Sequence, residues 1–210
     1  FATLRARPWR EWGSTLDPDR RLRVGFVSGD FSEHPVGYFF EGVVSALVSA
    51  HADRVEVYCY MNGDQADALT DRIRRNCQVW RCVRPLSDEE LASRIHDDQV
   101  DILVDLAGHT TANRLPMFAW KPAPVQVSWL GYYATTGLDA IDYLVADPVS
   151  LLPEEELCFS EKIWRLPQSR LCFSPPEIDV EVSPLPALAN GYLTFGCFNN
   201  LLKINDAVIH

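Results

Sequence analysis

The sequence predicts an α/β fold built on a doubly wound parallel sheet, and three observations carry that expectation. Short aliphatic runs alternate with longer segments of helical periodicity along most of the 210 residues. Several of those runs are apolar almost without interruption, as strands covered on both faces are. Polar clusters follow several of the runs, at the carboxyl ends where an open parallel sheet binds its ligands.

The elements follow in order. Residues 1–20, with Pro8, Trp9, Trp12 and Pro18, read as an irregular lead-in. The first strand is Leu22–Ser28, and the helix after it carries a stripe at Phe40, Val43, Val44, Leu47 and Val48. A second strand, Val55–Met61, ends in the turn signal Asn62-Gly63, and Leu69, Ile73 and Cys77 mark the next helix face. A third strand covers 79–83. Ser87 with Glu90 three residues on forms a capping box, closed by Leu86 and Leu91 as a hydrophobic staple. Residues 102–106 are an aliphatic strand, followed by a short helix towards Trp120. "PAPVQVSWL", Tyr143–Ala146 and 163–166 supply three more strands. Such alternation demands right-handed crossovers and hence a parallel sheet. Residues 21–173 therefore form one Rossmann-like lobe, 174–190 a proline-rich linker, and "GYLTFGCFNN" opens a strand of a second lobe over 191–210.

Composition narrows the function. The chain is 47% apolar and 23% charged, a globular balance. Acidic residues outnumber basic ones 29 to 19, and the net charge of -10 repels nucleic acid and anionic membranes alike. We therefore expect neither partner. The six cysteines form no CxxC pair and mostly sit in apolar runs, so buried thiols in a reducing cytoplasm are expected. No secretory signal is visible, and the longest apolar stretch, 36–50, is interrupted by Glu41 and too short to span a membrane. Phe1 is not an initiator and the chain stops at "KINDAVIH", so a piece of a longer protein is expected.

Four polar clusters fall at strand ends. They are Ser28, Gly29, Asp30 and His34; Asp105, Gly108, His109, Thr110 and Thr111; Gly131, Tyr132, Thr135 and Thr136; and Asn199, Asn200 and Lys203. Each has a plainer explanation. His34 can cap the helix that follows it, Asp105 and His109 can fix a turn, the third cluster can be loop chemistry, and Lys203 a solvated lysine. Their convergence on one rim favours a site. There is no GxGxxG dinucleotide fingerprint, no P-loop and no GxSxG elbow. His34, His51, His96, His109 and His210 lack metal-ligand spacing, so no metal site and no cofactor are expected.

"RLRVGFVSGDFSEHPVG", "VDILVDLAGHTTANRL", "PAPVQVSWLGYYATTGLDAIDYLVAD", "FSEKIWRLP" and "TFGCFNNLLKIND" resemble, in order, successive blocks of the O-linked N-acetylglucosamine transferase and SPINDLY family. They are most similar to bacterial members, whose catalytic region follows tetratricopeptide repeats. The resemblance covers roughly residues 20–210 and implies a GT-B glycosyltransferase, with two Rossmann-like lobes and a nucleotide-sugar donor in the cleft between them. It implies inverting, metal-independent transfer to serine or threonine hydroxyls of a protein acceptor. The histidine of the "DFxxHP" block, assigned as active-site base, is His34 here. The "DLxGHT" block maps to Asp105, His109, Thr110 and Thr111, and the "FNxxxK" block, which contacts the donor's diphosphate, to Asn200 and Lys203. Gly131 and Tyr132 belong to a block reading Gly-Tyr-Tyr-Ala-Thr where many relatives have Gly-Tyr-Pro-Gly-Thr. Some family members use UDP-N-acetylglucosamine and the SPINDLY branch GDP-fucose, so both donors stay open. The chain alone is expected to be inactive as a transferase. The alternatives are a non-catalytic GT-B-like module that binds protein or nucleotide-sugar, and a small-molecule glycosyltransferase or epimerase.

Overall fold

The computed structural model describes residues 6–13, 17, 19–174, 179–198 and 204–206. The chain divides into two compact units, Phe1–Ser174 and Pro175–His210.

The first unit is built on seven parallel strands in the order β3-β2-β1-β4-β5-β6-β7. The strands are β1 (Leu22–Ser28), β2 (Val55–Met61), β3 (Val79–Cys82), β4 (Ile102–Asp105), β5 (Val125–Ser128), β6 (Tyr143–Ala146) and β7 (Lys162–Arg165). Between them run α1 (Pro35–His51), α2 (Ala68–Arg75), α3 (Asp88–Asp97) and the single turn α4 (Leu115–Phe118). The doubly wound parallel sheet expected from the sequence is present. β2 shows why its sequence is apolar throughout. Val57, Cys59 and Met61 enter a core shared with α1 and α2, whereas Tyr58 and Tyr60 enter one shared with α3 and α4. Successive strand residues face opposite sides, so a strand covered on both faces cannot alternate with polar residues.

Local chemistry sets the helix ends. The capping box of α3 has both arms: Ser87 N–H donates to Glu90 Oε2 at 2.8 Å, and Glu90 N–H to Ser87 Oγ at 3.3 Å. Leu86 packs on the core that holds Leu91, as the staple requires. The lead-in is irregular but anchored. Trp9 stacks on His96 with centroids 4.7 Å apart, Trp12 Nε1 donates to Lys121 O, and Arg20 grips the buried Asp101 through two hydrogen bonds of 2.6 and 2.7 Å.

Several boundaries differ from those expected. α2 stops at Arg75, and Cys77 lies beyond it, with its Sγ 3.1 Å from that of Cys59. β3 and β4 each end one residue early, β7 is shifted by one, and a 3₁₀ turn at Pro153–Cys158 stands where no element is expected. In the second unit the residues read as linker contain a short helix, α5 (Pro186–Asn190), closed by Gly191. The strand expected to open a second lobe is not formed over 191–198. A strand needs neighbours for its hydrogen bonds and a layer to cover it, and here Leu193, Phe195 and Phe198 are exposed. Among the described residues no helix is long and apolar enough to cross a membrane.

Candidate active site

The strand order places β1 and β4 side by side, with the chain leaving them in opposite directions along the sheet. Their carboxyl ends are the topological switch point, where loops diverge and leave a crevice.

The loop after β1 is held from below and from the side. Buried Ser28 accepts the Asp30 N–H on its Oγ at 2.9 Å. Asp67, the N-cap of α2, uses one carboxylate oxygen to cap Thr70 N–H and the other to accept Glu33 N–H at 2.6 Å. Those backbone donors, Glu33 first, pull the Asp67 carboxyl below its ordinary range. His34 is the N-cap of α1 and Pro35 follows at N1, where its missing N–H costs nothing. The first free amide of the helix, Val36 N–H, donates to His34 Nδ1 at 3.2 Å. Asp30 Oδ2 lies 3.8 Å from the same nitrogen.

The loop after β4 turns on Asp105, which is buried. Its Oδ1 accepts Ala107 N–H at 3.1 Å and its Oδ2 accepts Gly108 N–H at 2.8 Å. Burial pushes the Asp105 carboxyl up to about 6, against the pull of the two amides, the Ser128 hydroxyl and His109. Gly108 has a φ of +58°, and Thr110 Oγ1 donates back to Ala107 O at 2.9 Å. Asn62, read from sequence only as half of a turn signal, ties this loop to β1. Its N–H donates to Ser28 O and its Nδ2 to Ala112 O, both at 2.8 Å. The signal was available, because a buried asparagine at a strand end on this rim has to find partners.

The loop after β5 passes close over the other two. Gly131 approaches the Leu106 carbonyl so nearly that a Cβ there would lie 2.0 Å from the oxygen. Tyr132 packs edge-on to His109 with centroids 5.5 Å apart, and the Arg170 guanidinium lies 4.7 Å from the centre of the Tyr133 ring. Ala112 and Leu130 both hold positive φ, at +58° and +82°. For residues with a side chain that conformation is strained, and such strain gathers at functional sites.

Asp30, His34, Thr110, Thr111, Leu130 and Gly131 are among the residues lining one cleft of about 410 Å³. The structure thus brings together Asp30, His34 and Gly131 with the two threonines. Asp105, His109 and Tyr132 are not on the cleft wall: the first braces the loop that carries the threonines, and the other two pack against each other. Thr135 and Thr136 serve the fold instead. Thr135 Oγ1 donates to Glu161 Oε2 at 2.8 Å and Thr136 N–H to Oε1 at 2.7 Å, which fastens the loop to the start of β7. Asn199, Asn200 and Lys203 lie outside the described residues. Among the described residues no group of three or more His, Cys, Asp or Glu side chains is placed to hold a metal ion.

The sequence model of glycosyl transferase family 41 matches residues 2–173, most of the chain. The chain belongs to this family. Within family 41, a Petunia hybrida protein named probable UDP-N-acetylglucosamine–peptide N-acetylglucosaminyltransferase SPINDLY is 41% identical over 205 residues, 96% of this chain and 22% of the relative. The Arabidopsis thaliana protein of the same description named SEC is 30% identical over 91% of this chain. A mutant of Thermobaculum terrenum O-GlcNAc transferase superposes with a TM-score of 0.85 at 43% identity, over 96% of this chain and 38% of that one. The family 41 chain therefore has the lobe architecture of an O-GlcNAc transferase and spans about a fifth of the length of its SPINDLY relatives.

Proposed function

We propose that this chain is the acceptor-side lobe of a protein O-glycosyltransferase that moves a sugar from a nucleotide-sugar to serine or threonine hydroxyls. The observation that carries the reading is His34, held at the switch point of a parallel sheet on the wall of a cleft large enough for a sugar and a side chain.

In this reading transfer inverts the anomeric carbon. The acceptor oxygen attacks from the face opposite the leaving diphosphate, His34 takes the hydroxyl proton, and the anomeric C–O bond to the diphosphate breaks as the new one forms. Thr110, Thr111 and Gly131 shape the sugar side of the cleft, and Asp105 braces the threonine loop. The diphosphate's charge falls to Lys203 with Asn200, in the block resembling the family's donor-binding segment, without a metal. The donor is UDP-N-acetylglucosamine or GDP-fucose. The names of the relatives favour the first. The acceptor is a protein presented by tetratricopeptide repeats upstream of this chain in the full-length protein, and the setting is cytoplasmic.

A mass-spectrometric screen of the full-length protein against a peptide library, with each donor in turn and with EDTA, tests the reading. Transfer that survives EDTA and is lost in His34→Ala is expected. No transfer by the parent with either donor would leave a binding module, the reading favoured by the use of His34 Nδ1 as a helix cap, whereas unchanged transfer by His34→Ala would remove His34 from the chemistry.

A further inference from the structure

We propose that Asp30 is the positioning residue that converts His34 from a helix cap into a base, by accepting a hydrogen bond from Nδ1–H so that the Nε2 lone pair faces the acceptor hydroxyl. The proposal rests on the reading of His34 as the base.

A neutral imidazole carries one N–H, and the partner of one nitrogen decides where it sits. While Nδ1 accepts the Val36 N–H, the proton is on Nε2, and that nitrogen can only donate. A base working through Nε2 needs the proton on Nδ1. That proton would point at the Val36 N–H, two donors face to face, unless another acceptor takes it. Asp30 Oδ2 is 3.8 Å from Nδ1, about 1 Å beyond a charge-assisted hydrogen bond. A small swing of a ring with 45% of its surface exposed closes that gap. Among the residues lining the cleft, Asp30 and His34 are the titratable ones. The neighbouring Glu33 is exposed, and the carboxylate of Asp67 is engaged by the Glu33 N–H and the α2 cap. Histidine is also outside the set of residues that cap helices well, so capping alone gives little reason for it at this position.

The protons balance. The acceptor O–H bond breaks towards Nε2, the ring becomes an imidazolium with both nitrogens protonated, and its charge lies beside the Asp30 carboxylate. After product leaves, the ring returns the Nε2 proton to water.

The test uses the full-length protein with selectively ¹⁵N-labelled histidine and the Asp30→Asn, Asp30→Glu and His34→Ala variants. Ring-nitrogen shifts are expected to show both His34 tautomers in the parent and only the Nε2–H form in Asp30→Asn. The Asp30→Asn change should lower kcat ten- to a hundredfold with the donor KM unchanged, and Asp30→Glu should recover part of it. Unchanged donor KM also shows that the variant is folded. Asp30→Asn with kcat within twofold of the parent and an unaltered tautomer ratio, while His34→Ala is inactive, overturns the role of Asp30 and leaves the function standing. A fully active His34→Ala overturns the reading of His34 as the base, and the role of Asp30 with it.

Discussion

Replacing Gly131 by alanine tests whether the close approach of two loops builds the cleft. The added Cβ would lie 2.0 Å from Leu106 O, 3.0 Å from Leu106 C and 3.3 Å from Ala107 Cα, all backbone atoms that cannot rotate aside. Non-bonded contact needs about 3.5 Å, so the β4 and β5 loops must part by roughly 1.5 Å. Overpacking of this kind costs about 1–3 kcal/mol of stability. A displacement of about 1 Å in a reacting constellation costs about a hundredfold in rate. Gly137→Ala is the control. Nothing lies within 4 Å of its added Cβ, but its φ of +68° makes alanine strained by about 1–2 kcal/mol. Urea unfolding and peptide glycosylation are measured on both variants of the full-length protein. Similar losses of stability are expected, with transfer lost in Gly131→Ala and retained in Gly137→Ala. Parent-like transfer by a folded Gly131→Ala would refute the claim that this contact sets the cleft.

His34→Ala removes the N-cap of α1 and should cost about 1 kcal/mol in urea unfolding, which His34→Asn restores because its amide oxygen still accepts the Val36 N–H; neither should restore transfer. Asp105 titrates at about 6 in the fold against about 4 unfolded, so between those pH values the folded state binds the extra proton and stability falls as pH rises. The fall, about 2 kcal/mol between pH 4 and pH 6, should vanish in Asp105→Asn, read by urea midpoints from pH 4 to 7. Asn62→Ala should cost about 1 kcal/mol for the bond to Ala112 O and slow transfer by loosening the threonine loop, seen as a fall in kcat.

The elements were legible where one local rule sufficed. β1, β2 and β6 could be bounded from sequence because an apolar run ended in a turn residue, and α3 because Ser87 and Glu90 announce its start. Boundaries that depend on tertiary partners were not. α2 stops short of Cys77 because Asn76 takes the C-cap, and the apolar run near Phe195 forms no strand because among the described residues nothing pairs with it. At the site, strand-end position singled out His34, Thr110, Thr111 and Gly131, since the carboxyl rim follows from alternation alone. The divisions of labour did not follow. Thr135 and Thr136 look like rim residues until Glu161, 26 and 25 positions on in the chain, takes their donors. Asp105 looks catalytic until its oxygens are found on two amides. Asn62 looks like a turn residue until its side chain reaches the 110–112 loop.

His34 is the instructive case, because the two explanations open at the sequence level turn out to share an atom. As a cap the imidazole must accept at Nδ1, and as a base at Nε2 it must carry a proton there. A neutral ring cannot do both at once, so one residue alternates between the two states or has only one of the roles. Asp30 is the group within reach of Nδ1 that makes alternation feasible. If the ring stays on Val36 whenever acceptor is bound, the base in this cleft is some other group, and the helix cap is all that His34 contributes.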